Sequence, residues 1–315
     1  MSDHFGFDQR FEDAARLDEI SRRSFLGAMA GAAGVALAGS SRAAAAAPAP
    51  TAGQAPGVIA PDDEALWGWV ADQFLIRNEV AYMNTGTRGP SPRSVYEAQI
   101  EAIRASNVDR LSYARYVYDT DFRDGLREKM ATFLGCKPSE VAFTNNTTEG
   151  MAFGTNGPDL ERGDEILCTN HDHSSGAQPI HLRAARQGLQ VKMLDLSDAR
   201  FHPPKSPDDI VAAFDDAISS RTKRISFCQV NYTDGCVLPV KEICELARSK
   251  GILTLVDGAH PPGMMNLDLH ALGCDMYAGA CHKWMMAAML TGFFYVREDV
   301  QDRIWPTIYS GPVNG

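Results

Sequence analysis

Leu253-Thr254-Leu255-Val256-Asp257-Gly258-Ala259-His260 is an apolar run that stops abruptly at an acid and enters a Gly-Ala-His turn. It reads as a buried strand with the acid at its C-terminal end. Asp275-Met276-Tyr277-Ala278-Gly279 reads as a second short strand and leads into Cys281-His282-Lys283-Trp284. Upstream the same unit recurs. Strands are expected at 140–144, 165–169, 190–194, 224–230 and 252–257, with helices from Thr147 onward and at 177–187, 207–219 and 240–250, the last ended by Gly251. Repeated βα units imply an α/β fold, a three-layer sandwich with a mostly parallel sheet. The final strands, 276–279 and 292–296, are joined by a short connection, so at least one of them is expected to run antiparallel.

Ahead of this alternation, Asp62-Asp63 can cap a helix through Trp67, Val70 and Phe74. Ala81-Tyr82-Met83-Asn84 reads as a short strand ending in a loop dense in turn residues, Thr85-Gly86-Thr87-Arg88-Gly89-Pro90. Two more helices are expected. One spans 94–105 with Val95, Ile100 and Ile103 near one face; the other spans 121–134 with Phe122, Leu126, Met130 and Phe133 spaced for burial.

The chain has 315 residues, enough for one large α/β domain with a smaller companion. Apolar residues make up 44% and charged residues 22%, the balance of an ordinary globular protein. The net charge of -10 argues against a nucleic-acid partner, which needs a basic patch. The 7 cysteines are scattered with no CxxC pair, so buried free thiols are expected rather than a zinc or redox site. Neither a Walker-type nor a Gly-x-Gly-x-x-Gly motif occurs.

Ser21-Arg22-Arg23-Ser24-Phe25-Leu26-Gly27 precedes a small-residue apolar run and the alanine tract 43–47. This resembles a bacterial twin-arginine export signal. The run is too short to span a bilayer easily. Residues 1–47 are therefore read as a signal handled by the twin-arginine translocation machinery, giving an exported, periplasmic protein. The Pro/Ala/Gly stretch 48–61 is read as a linker.

Several turns carry candidate chemistry. Asn145-Asn146-Thr147-Thr148-Glu149-Gly150 is a polar turn opening a helix: either an anion site built from N–H groups and hydroxyls, or a plain N-cap. Asn170-His171-Asp172-His173 follows the next strand. His171 can stack on an aromatic cofactor; the His-x-His spacing can instead bind a metal with Asp257 and His260, or simply open a helix. Asn231 and Tyr232, after the fourth strand, can bond a cofactor oxygen or order a turn. Asp257 at the end of an apolar strand needs a partner. Lys283, flanked by His282 and Trp284, reads as a partly buried lysine of lowered pKa. An acid and a lysine meeting at one sheet edge suit a pyridoxal phosphate (PLP) site.

Taken together, Val256-Asp257-Gly258-Ala259-His260, His282-Lys283-Trp284, Asn146 to Gly150 and Asn170-His171-Asp172-His173 resemble the class V aminotransferase family of fold-type I PLP enzymes, near its isopenicillin N epimerase-like and cysteine desulfurase-like branches. The resemblance runs from Tyr82 to the end. It implies PLP as cofactor, no metal, and chemistry at the α-carbon of an amino acid, epimerase-like, through a Schiff base on Lys283. The alternatives are a cysteine desulfurase or selenocysteine lyase, or a truncated, inactive PLP-fold protein. By the same resemblance Lys283 is the Schiff-base lysine and proton shuttle. Asp257 pairs with the pyridine nitrogen, and His171 stacks on the ring. Thr147, Thr148 and His282 hold the phosphate, and His260 sits near the ring oxygen. Asn84 to Gly89 resembles the family's N-terminal active-site loop, and a homodimer is implied. Three departures are visible. Ala280 stands where many relatives carry Ser or Thr. Tyr232 stands where desulfurases carry Asn. The chain stops at Gly315, so 62–300 is expected to be the PLP-binding domain and 301–315 the start of a C-terminal domain that is largely absent.

Overall fold

The computed structural model of the protein describes residues 64–77, 79–111, 119–197 and 206–308. The expected export signal and linker lie outside the described residues. Three helices come first: α1 (Glu64–Asp72), α2 (Arg93–Val108) and α3 (Thr120–Leu134). The alternation follows as β1 (Val141–Thr144), α4 (Thr147–Asn156), β2 (Glu165–Thr169), α5 (Ser174–Gln187), β3 (Gln190–Leu194), α6 (Pro207–Ala217), β4 (Thr222–Cys228), α7 (Val240–Ser249) and β5 (Leu253–Gly258). The short α8 (Leu269–Leu272), β6 (Met276–Ala280) and β7 (Gly292–Val296) complete the core.

One seven-stranded sheet results, in the order β1-β7-β6-β5-β4-β2-β3. The β2/β3, β2/β4, β4/β5 and β5/β6 pairs are parallel, while β7 runs antiparallel to both of its neighbours. The expected reversal among the last strands is therefore β7. The C-terminal ends of β1, β2, β4, β5 and β6 consequently share one edge of the sheet.

Strand alternation sorts the side chains into two layers. Leu167, Ile225, Phe227, Val256, Tyr277, Phe293 and Tyr295 face one side and pack with Phe214 of α6, Ile243 of α7 and Leu134 of α3. On the other side, Leu253, Leu255, Met276 and Phe294 pack with Met151 of α4. Ile166 and Cys168 on that side pack with Ile180 and Ala184 of α5. Helices on both faces explain why β5 and β6 read as unbroken apolar runs. Local signals set the helix ends. Asn146 caps α4 by accepting the Glu149 N–H at 2.9 Å, and Ser206 caps α6 ahead of Pro207. Gly135 and Gly188 close α3 and α5 in the left-handed region.

Gly258 marks a close approach between layers. A Cβ there would lie 1.9 Å from a ring carbon of Tyr277, which is fully buried and donates its hydroxyl to Gln229 Oε1 at 2.7 Å. With no room to yield, Gly258→Ala is expected to destabilise the chain by about 3 kcal/mol, read as a lower urea midpoint at unchanged slope.

Two expectations are corrected. Residues 81–84 form no strand; their backbone pairs with no strand among the described residues. The segment is instead folded by Tyr82, whose hydroxyl donates to the carbonyls of Asn84 (3.1 Å) and Arg88 (2.7 Å). The apolar stripe of α3 is borne out only in part: Met130 packs against the core, but Ala131 and Leu134 are the buried residues, whereas Leu126 and Phe133 are exposed. On α2 no residue is buried, and Ile100 and Ile103 face outward. All 7 cysteines are free, five of them buried.

Candidate active site

The shared strand edge opens into a cavity of about 620 Å³, the size of a small-molecule site. Asp257 lies at its floor, 5% exposed, with Oδ1 accepting the Ala259 N–H at 3.0 Å. Helix α5 passes directly above: a Cβ on Gly176 would come 2.7 Å from Asp257 Oδ2. Burial pushes the Asp257 carboxyl pKa up, against the Ala259 N–H and the nearby Lys283 and His173, which pull it down. Half-buried Lys283 is the counterpart. Burial pushes its ammonium pKa down, and the Asp257 charge only partly restores it.

Lys283 sits in the connection between β6 and β7, which is tightly held. Cys281 N donates to Thr291 O (3.0 Å), Ala287 N to Cys281 O (3.0 Å), and Met286 N to Lys283 O (3.1 Å). His282 donates Nδ1–H to Thr291 O at 2.9 Å. Met286 and Leu290 have φ of 55 and 59, a conformation disfavoured for residues with side chains. The Asn84–Gly89 turn clamps this connection from outside. Gly89 N donates to His282 O at 2.9 Å, and a Cβ on Gly89 would lie 1.8 Å from Lys283 O. The lysine backbone is thus fixed from both sides.

At the cavity's far end the first turn of α4 offers the N–H groups of Thr147 and Thr148, which have no intrahelical acceptor. Thr147 Oγ1 is buried with no protein partner, and so is Asn231 Oδ1; both residues line the cavity. Buried polar atoms without a protein partner, in residues that line one cavity, are groups that a bound polar ligand can satisfy. Thr147→Val removes a hydroxyl with nothing to bond. It is therefore expected to leave thermal unfolding of the ligand-free chain within about 2 °C, while weakening binding of a phosphorylated ligand about tenfold. Equal losses with phosphorylated and unphosphorylated ligands would contradict this.

His260 accepts the Trp284 indole N–H on Nδ1 at 3.2 Å, so its proton resides on Nε2. Burial, then Lys283 and His173, push its pKa down to about 4, leaving it a neutral donor.

Of the two histidines after β2, the one expected to face a cofactor ring does not line the cavity. His171 is buried outside the cavity lining. Its Nδ1 lies 3.1 Å from Asp234 Oδ2 and 3.3 Å from Asn231 Nδ2, and its Nε2 lies 3.3 Å from Ser197 Oγ. His173 lines the cavity instead. As the N-cap of α5 it accepts the Ser175 N–H on Nδ1 at 3.1 Å, and its ring meets Tyr232 edge-on at 4.5 Å. Burial lowers the His173 pKa, Asp257 opposing and Lys283 assisting. The expectation that His171 lies at the site is corrected: His173, not His171, lines the cavity.

Asp172, between them, is a residue the sequence reading passed over. Its Oδ2 accepts Thr169 N and its Oδ1 accepts Cys228 N, both at 2.8 Å, bolting the ends of β2 and β4 together. Burial pushes its pKa up to about 6, with Asp257 adding and the two backbone donors opposing. The remaining expected residues, Thr148, Asn231, Tyr232, His260 and His282, all line the cavity, as does Ala280. Among the described residues, no group of three or more His, Cys, Asp or Glu side chains is placed to hold a metal.

The class-V aminotransferase family profile matches residues 82–314. The chain belongs to that family. Isopenicillin N epimerase of Amycolatopsis lactamdurans is 35% identical to this chain, over 74% of the chain and 58% of the relative. A probable cysteine desulfurase of Methanothermobacter thermautotrophicus is 29% identical, over 75% of the chain and 58% of the relative. Among solved structures, the apo cysteine desulfurase of Thermococcus onnurineus superposes with a TM-score of 0.65 at 26% identity, covering 77% of this chain and 60% of that one. The chain thus spans under two thirds of the length of these relatives.

Proposed function

We propose that the cavity is a PLP site and that the protein acts on an amino acid at its α-carbon, in the manner of the epimerase-like branch. The observation that carries this is the convergence of buried Asp257, half-buried Lys283 and the open first turn of α4 around one space, two of whose lining residues, Thr147 and Asn231, hold orphaned polar atoms. These fit the pyridine nitrogen, the aldehyde carbon and the phosphate of one cofactor molecule. When bound, PLP supplies an electron sink for charge developing at the substrate α-carbon.

The chain's own residues supply the rest. Asp257 would hold a proton on the ring nitrogen, and His173, which lines the same cavity, would pack against the ring. His260 Nε2–H would donate to the ring oxygen. Thr147, Thr148 and His282 take the phosphate. Lys283 would hold the cofactor's aldehyde carbon and would move the proton at the substrate α-carbon; its lowered pKa enlarges the neutral fraction available as base. Among the described residues no arginine lines the cavity to bind a substrate carboxylate.

The test is exchange of the α-proton in deuterated water across a panel of L-amino acids with PLP present. Exchange with inversion supports the epimerase-like reading. Sulfur release from L-cysteine would favour a desulfurase, and binding without exchange would favour an inactive scaffold. Export through the twin-arginine route and a homodimer complete the proposal. Arg22-Arg23 ahead of an apolar run supports export, tested by cell fractionation. Exposed Trp67, Ile103, Val108 and Leu111 support an assembly that covers them, tested by sedimentation.

A further inference from the structure

Helix α4 has charge at the end opposite the cavity. Arg224 of β4 is 0% exposed and Arg183 of α5 is 4% exposed. Arg224 Nη1 donates to the carbonyls of Gly154 (3.0 Å) and Thr155 (2.9 Å). Arg183 donates Nη1–H to the same Thr155 carbonyl and Nη2–H to Pro158 O at 2.6 Å. Its Nε binds Gln187 Oε1 at 2.8 Å. No carboxylate lies in salt-bridge range of either among the described residues; Asp159 reaches Arg183 only through its field. Arg224 Nε and Nη2 find no partner at all. Two like charges buried in this way are costly. Closing a helix does not require them: α3 and α5 end on a left-handed glycine whose N–H reaches back to the helix.

We propose that Arg183 and Arg224 are positioning residues for the phosphate turn: by gripping the last carbonyls of α4 they fix and polarise the helix whose first turn receives the cofactor's anionic group. This rests on the PLP reading above. Helix α4 is 10 residues, about 15 Å, long. Cations at a helix C-terminus and an anion at its N-terminus are complementary to the same dipole. The two guanidinium charges are shielded from salt by burial, so their field also reaches the first turn. The buried, unpartnered hydroxyl of Thr147 marks the end where that field acts.

The experiment titrates the ligand-free chain with PLP and with pyridoxal, which lacks the phosphate, following absorbance. Wild type is compared with Arg224→Met, Arg183→Met and Arg183→Lys. The methionine variants are expected to lose about tenfold in PLP affinity, with pyridoxal affinity unchanged and the lysine variant close to wild type. Equal losses for both ligands would assign the arginines to general stability and overturn the inference, as would no loss for either. Should Arg224→Met fail to fold, Arg183→Met, which acts on the same Thr155 carbonyl, carries the comparison. Wild type that binds neither ligand overturns the PLP reading itself, and this inference with it.

Discussion

Lys283→Ala is expected to abolish the long-wavelength absorbance that wild type develops with PLP and to slow α-proton exchange by at least about 10³-fold. The effect is large because the lysine both carries the cofactor and moves the proton. Gly89 and the strained connection around Met286 hold its backbone, and among the described residues no other lysine lines the cavity. The pH dependence has a definite sign. Burial lowers the folded-state pKa of Lys283 below its unfolded value. Between those two values the unfolded chain binds more protons, so wild-type stability rises with pH through that window. Below the folded pKa the full cost of the buried ammonium applies, and the alanine variant escapes it. Cofactor capture by wild type is expected to speed up with rising pH, with a midpoint below the ordinary lysine value of about 10.4. A midpoint at or above that value would contradict the lowered pKa.

Asp257→Asn is the second large effect. Asparagine can still accept the Ala259 N–H, now made at 3.0 Å, but its amide N–H₂ confronts a protonated ring nitrogen with a donor. Exchange is expected to fall about 10²- to 10³-fold, with PLP still captured by Lys283. Stability should move the other way. Burial raises the Asp257 pKa, so ionising it disfavours the fold as pH climbs from about 3.9 through the folded value. The asparagine variant lacks that penalty and is expected to match or exceed wild type in urea at pH 7. Exchange at the wild-type rate would show that Asp257 does not face a ring nitrogen.

Much of the fold was legible because burial on both faces writes itself as apolar runs. The strands around Leu255 and Tyr277, and the acid that ends the first of them, follow from that alone. The strand expected at 81–84 is instead a loop, because the Tyr82 hydroxyl bonds the nearby Asn84 and Arg88 carbonyls and no partner strand lies alongside among the described residues. His171 and His173 could not be told apart by spacing. What separates them is where α5 begins: His173 caps that helix and turns into the cavity, while His171 bonds away from it toward Asp234 and Ser197. Asp172, Arg183 and Arg224 went unread for a related reason. A charged residue in an α/β chain reads as solvated surface, and only the packed structure reveals the backbone groups that hold it.

The most direct test is borohydride reduction of the PLP-treated chain followed by peptide mass spectrometry. The expected result is a phosphopyridoxyl adduct on the peptide that contains Lys283 and on no other. An adduct spread over surface lysines, or none on Lys283, would contradict the assignment of this cavity.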